Sequence, residues 1–217
     1  MRKLLIGLVM IMVGFALITP SANAYPVSAG DWIVVKNGVG SHAYGGGAFD
    51  VALASDPTDW LFDTFCVERN ESISPNGTTP YLIDSITGTA IGGGIGGGSP
   101  DPLSSQAAWL YMQWATGGIA NTQPNADAVQ MAIWVLEEEW TSSISAAAQA
   151  FITQANLEAD GVSLYSVQVL NLKAYDRYQQ LINKQDLLVY NPSVPEPATL
   201  LLLGFGLVGI GIARRMK

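Results

Sequence analysis

In 217 residues the chain has one cysteine and one histidine, and only 10 Lys and Arg against 18 Asp and Glu. A single thiol, Cys66, excludes an intrachain disulfide. The shortage of cations excludes further functions. Between Tyr25 and Val194, 17 acidic side chains face 5 basic ones (Lys36, Arg69, Lys173, Arg177 and Lys184). Such a surface repels nucleic acid and anionic lipid, so neither is an expected partner. Acidity alone does not make a calcium site, and no EF-hand loop or comparable oxygen-ligand pattern is present. No internal repeat is visible, and nothing calls for a metal or a cofactor.

Long apolar runs occur at the two ends. Arg2 and Lys3 precede the run Leu4 to Ile18, and Ala22-Asn23-Ala24 places small residues at the cleavage positions. Residues 1–24 therefore read as a signal peptide for signal peptidase, with Ala22 and Ala24 as the cleavage residues. The last 24 residues, VPEPATLLLLGFGLVGIGIARRMK, hold a Pro-rich turn signal, an uncharged apolar run (Ala198 to Ala213) and a basic end (Arg214, Arg215, Lys217). A helix over 198–213 would be about 24 Å long, slightly short of a hydrocarbon core of about 30 Å. Snorkelling cations and local thinning of the bilayer allow it to insert. The cations favour a cytoplasmic end, which leaves Pro195, Glu196 and Pro197 on the far side, extended and open to a protease.

This order of parts resembles the PEP-CTERM sorting signal of Gram-negative bacteria. The resemblance implies that residues 194–217 hold an exported protein in the inner membrane until an exosortase, an integral-membrane protease, processes it near Pro195-Glu196-Pro197. The expected destination is the cell surface or the extracellular matrix.

Residues 25–193, about 170 residues, are enough for one domain with a real core. Asp31–Lys36, Ala48–Ala54, Leu61–Glu68 and Pro80–Thr87 alternate as strands do, with Gly, Asn, Asp and Pro between them. Gly88–Pro100 (GTAIGGGIGGGSP) is too glycine-rich for regular structure and reads as a mobile loop or hinge. Asp101-Pro102 resembles an N-cap followed by Pro at the first helical position, and Leu103, Ala107, Leu110 and Trp114 then recur at helical spacing up to Gly117-Gly118. A second helix is expected from Asn125 to about Glu139, and a third from Ser143 to about Ala159. Ser163–Leu172 returns to strand alternation and can pair with Asp186–Tyr190; Lys173–Lys184 between them reads as a short helix or a long hairpin. The expected fold is α+β, an antiparallel sheet or sandwich with an inserted helical segment.

Export makes the odd cysteine anomalous. Cys66 could be an inert buried thiol, half of an intermolecular disulfide, a nucleophile or one end of a side-chain crosslink. Phe65-Cys66 on a strand, and Gln130 in Val129-Gln130-Met131-Ala132-Ile133-Trp134 on a helix, together resemble the thioester domains of Gram-positive surface adhesins. The resemblance implies a Cys66–Gln130 thioester that captures amines, with Trp134 as the motif tryptophan and Phe65 and Trp134 as shielding residues. It assigns no enzymatic activity, and the expected target is an extracellular polysaccharide or an amine-bearing surface. The target of the adhesins does not carry over, because they are anchored by sortase.

The residues support that geometry independently. Gln130 lies one helical turn before Trp134, so the indole can pack over the carboxamide. Val129, Ile133, Leu136 and Trp140 form an adjacent apolar stripe that should dock the helix on the sheet, with Gln130 at the edge of that interface. Thiol attack on an amide needs an enclosed, water-poor contact and a base, for which Glu68 is one candidate. Other readings are simpler. Cys66 with His42 would make a nucleophile and base without a third orienting residue. Glu137-Glu138-Glu139 reads as the polar end of a helix. Trp109, Trp114, Trp134 and Trp140 read as core, and Trp32 and Trp60 as the better glycan platforms. The sequons at Asn70 and Asn76 read as coincidental in a bacterial protein.

Overall fold

A computed structural model describes residues 26–42, 46–91 and 94–192. The signal peptide, its Ala22 and Ala24, the Pro195-Glu196-Pro197 motif and the 198–213 helix lie outside the described residues. Among the described residues, no helix is long and apolar enough to cross a membrane. Tyr25–Asn191 form one compact unit.

Alternating β-branched and aromatic residues form the first strands: β1 (Trp32–Asn37), β2 (Phe49–Leu53), β3 (Trp60–Thr64) and β4 (Asn76–Thr87). Two short strands, β5 (Thr89–Ala90) and β6 (Asp101–Pro102), pair with each other and lead into the helices α1 (Ser105–Ala115), α2 (Gln123–Leu136) and α3 (Ala146–Glu158). The hairpin β7 (Val167–Tyr175) and β8 (Leu181–Tyr190) ends the domain. The main sheet is antiparallel, in the order β3-β2-β1-β4-β7-β8.

Its two edges meet. Past β3 the chain continues beside β8: the Leu188 N–H donates to the Phe65 carbonyl (3.1 Å), the Val67 N–H donates to the Asp186 carbonyl (3.0 Å), and Cys66 lies opposite Leu187. Instead of two stacked sheets, one sheet closes on itself at a short seam, which removes the exposed edge there. Cys66 sits at the centre of the seam.

Two apolar clusters follow from this closure. Ile33, Val35, Phe49, Val51, Tyr81, Ile83, Leu170, Leu172, Leu187 and Val189 gather on one face with Cys66. The helices pack on the other face through Phe65, Val67, Val167, Val169 and Leu188. Successive residues of an extended chain point to opposite faces, so Phe65 and Cys66 separate into different clusters.

Several boundaries differ from the sequence expectation. Asp101-Pro102 is strand β6, and the cap of α1 is Ser104, whose side chain accepts the Ala107 N–H at 3.1 Å. Helix α2 starts two residues early with Pro124 in its first turn and ends at Leu136, not near Glu139. Lys173–Lys184 is hairpin, with Lys173 opposite Asn183. The Gly-rich tract is anchored at its described residues 94–98. A side chain at Gly94, Gly96 or Gly97 would collide with Glu139, Glu138 or Asp101 respectively, so the glycines permit close packing there.

Candidate functional site

Seam closure exposes one residue's peptide groups to the helices. In an antiparallel pair, neighbouring residues direct their N–H and C=O to opposite sides. Because Phe65 and Val67 turn theirs to β8, Cys66 turns its own away from β8 and toward α2. Left unpaired and buried, those two groups would each cost about 1–3 kcal/mol.

Gln130 fills this gap. Its Oε1 accepts the Cys66 N–H at 2.9 Å and its Nε2 donates to the Cys66 carbonyl at 2.9 Å. The carboxamide thus acts as one peptide unit of a missing strand. Gln130 has no solvent exposure and Cys66 is only 3% exposed. The expected position at the interface edge is therefore corrected: Gln130 is interior, because two peptide groups compensate its burial.

Helix α2 straddles the seam. Val129 and Ile133 face the helical cluster, whereas Trp134 joins the cluster that contains Cys66. Trp134 stacks on Trp140 (centroids 6.4 Å apart, planes at 17°), and the Arg69 guanidinium lies 4.2 Å from the Trp140 ring centre. Phe65 instead meets Tyr111 and Trp114 edge-on, at 6.3 and 5.1 Å. Of the two expected shielding residues, only Trp134 thus lies in the cluster that holds the thiol.

Two cavities flank the contact. One, of about 320 Å³, is walled by Cys66, Trp134, Arg69, Glu71 and His42 among others; the second, of about 390 Å³, is walled by Gln130, Met131, Asp127 and Trp134 among others. The structure therefore brings His42 and Cys66 to one cavity. The His42 Nε2, however, sits 3.1 Å from the Gly38 carbonyl, and the ring packs on Phe49. Burial pushes the Cys66 thiol well above its usual range, so the thiol is neutral in this form of the site.

The carboxylates around the site are more involved than the sequence suggested. Glu137 and Glu139 are buried, not a polar helix end. Glu139 accepts N–H bonds from Arg69 (2.9 Å), Ile95 (2.6 Å) and Gly96 (2.9 Å), which ties the segment after Cys66 to the Gly-rich loop. Glu137 accepts bonds from the Ser104 N–H (3.2 Å) and hydroxyl. Glu68, the candidate base, groups instead with Glu71 and Asp186, whose carboxylate oxygens lie within 4.8 Å of one another. These three could offer oxygen ligands to a hard cation. Burial raises the Glu71 carboxyl above its usual range, opposed by its bond to Glu68. Sequence reading missed this trio because Asp186 is remote in the chain and arrives only through seam closure.

The expected glycan platforms are both engaged. Trp32 stacks on Tyr175 (5.8 Å, 21°), and the Lys36 ammonium lies over Trp60 at 3.9 Å.

Comparison with known proteins identifies the tail. Residues 193–215 match the PEP-CTERM protein-sorting motif. That motif is the recognition signal for an exosortase, so the chain carries the address of a protein exported through the membrane to the cell surface. No curated protein and no solved structure matches the chain.

Proposed function

We propose that the domain forms an internal thioester between the Cys66 sulfur and the Gln130 side-chain carbonyl, and uses it to attach covalently to an amine-bearing surface or matrix target. The observation that carries this reading is the fully buried Gln130 carboxamide, bonded on both sides to the main chain of the only cysteine. That pairing sets the carboxamide carbon opposite the Cys66 Cα, next to the residue that bears the thiol. The Cys66 N–H already polarises the carbonyl that would be attacked.

In the reaction the sulfur bonds to Cδ and the Cδ–Nε2 bond breaks. The thiol proton leaves with the nitrogen as ammonia. Exclusion of water protects the product from hydrolysis, and fixed contact supplies effective molarity. A target amine later forms a bond to Cδ, the C–S bond breaks, and its proton returns to sulfur. The acyl donor is consumed, so each molecule acts once and the protein is not an enzyme. The sorting tail, Pro195-Glu196-Pro197 with the 198–213 helix, is then a temporary anchor removed by the exosortase.

Intact mass of the purified mature protein tests this. A thioester makes the wild type lighter by one ammonia, and Cys66→Ala abolishes that deficit. Full mass together with a thiol that labels freely after denaturation would sink the proposal.

Noncovalent association with extracellular polysaccharide is a second reading. It is favoured by the Trp32–Tyr175 stack and by the exposure of Tyr175 and Tyr178 at the β7–β8 hairpin. Polysaccharide pull-down lost in Tyr175→Ala and retained in Cys66→Ser would support it; binding unchanged by Tyr175→Ala would count against it.

A further inference from the structure

A buried donor without an acceptor belongs to a side chain that lines both cavities flanking the Cys66–Gln130 contact. Trp134 is 2% exposed, and its indole Nε1–H has no hydrogen-bond partner among the described residues. Buried N–H groups are nearly always paired, so an orphan in the wall of a cavity is unusual. Among the described residues Trp134 is also the one side chain common to the Cys66 cavity and the Gln130 cavity, which places it between them. Its ring is fixed by the stack on Trp140, which is covered by Arg69, whose own N–H is held by Glu139.

We infer that the Trp134 indole N–H is an oxyanion donor for acyl transfer at Gln130, working with the Cys66 N–H. This inference rests on the thioester reading above. In both steps of that chemistry, nucleophilic attack at Cδ sends the carbonyl π electrons onto Oε1. The negative charge returns when the Cδ–Nε2 or the Cδ–S bond breaks. Among the described residues Oε1 accepts one bond, from Cys66, and a carbonyl oxygen has two lone pairs. Trp134, one helical turn beyond Gln130, brings the second donor from the same helix. The N–H without a ground-state partner gains its acceptor as charge develops, which is the differential binding that lowers a barrier. An indole held by stacking needs little reorganisation to serve. The role also gives Trp134 a function that shielding does not explain, since phenylalanine would shield as well.

The test compares wild type with Trp134→Phe in the full mature protein, with methylamine as the probe. Mass spectrometry follows both the loss of ammonia on maturation and the rate of methylamine incorporation. Infrared spectroscopy reads the thioester carbonyl band. Trp134→Phe should form the thioester more slowly and react with methylamine about a hundredfold more slowly, the scale for loss of one oxyanion donor. The carbonyl band of the resting thioester should stay in place, because the N–H takes an acceptor only as charge develops. If the phenylalanine variant does not fold, 3-benzothienylalanine at position 134 replaces N–H by sulfur in a ring of nearly the same shape. The same losses are expected of it. Wild-type rates, or slow rates accompanied by a shifted resting band, in a thioester-bearing Trp134 variant would overturn this inference and leave the thioester standing. Full mass in the wild type would overturn both.

Discussion

Replacing Cys66 by alanine removes the thiol but keeps the N–H and C=O that Gln130 holds, so covalent and noncovalent forms of the contact respond very differently. Without a thioester, Cys66→Ala deletes one buried atom from a packed cluster, a loss of about 1 kcal/mol. With one, the variant also loses a crosslink between residues separated by 64 positions. Loop-closure entropy for that separation is about 4 kcal/mol, giving a total near 5 kcal/mol. Gln130→Ala should cost several kcal/mol in either case: without a thioester it leaves two buried peptide groups unpaired and opens a cavity, and with one it loses the crosslink and the bond to the Cys66 N–H. Equilibrium urea unfolding of the mature protein, purified without amines, separates the cases. A crosslinked domain should lose roughly 2 M in its unfolding midpoint on Cys66→Ala. Wild type opened beforehand with methylamine should lose most of the same increment. A Cys66→Ala cost of only about 1 kcal/mol, beside a large Gln130→Ala cost, would refute the covalent link and reduce the pair to a noncovalent clamp.

Glu137, the Gly-rich tract and the tail each give a further test. Burial pushes the Glu137 carboxyl up to about 7, against the bonds from Ser104 that lower it. In the unfolded chain the group titrates at its ordinary value of 4.5, so between those values the folded state holds a proton that the unfolded state has released. Stability from this group is therefore fully present below the unfolded value and declines by about 3 kcal/mol as pH rises through 7. Glu137→Gln should flatten the fall in melting temperature between about pH 5 and 8; an unchanged slope would show that Glu137 is not its source. Gly94→Ala should displace the Glu139 carboxylate and speed hydrogen exchange at the Ile95 and Gly96 amides, which unaltered exchange would contradict. In cells with an exosortase the mature protein should end before Ala198 by mass spectrometry; retention of residues 198–217 on the surface form would contradict sorting.

The legibility of the site in the chain was uneven, for reasons visible in particular residues. Gln130 and Trp134 were recognisable because both lie within one helical turn, where spacing dictates neighbourhood. The β7–β8 pairing was readable from alternation, but Lys173–Lys184 was ambiguous because its polar residues follow no buried period. Asp101-Pro102 misled because a helix start and a two-residue strand share that composition. Glu137 and Glu139 read as solvated because charge suggests exposure, whereas each is compensated by loop N–H groups remote in the chain.

Local order along the chain was enough to determine the address, the α+β class, and the anomaly of one thiol in an exported protein. Those follow from composition and short-range periodicity, which act within a few residues of any position. Only the tertiary structure decided that the two sheet edges meet at Phe65–Val67. That closure turns the Cys66 peptide groups toward α2, buries Gln130 against them, and packs the Trp134 ring in the cluster that holds Cys66. Hydrogen-bond direction at a seam depends on which strands become neighbours in space, and no spacing in the chain encodes it.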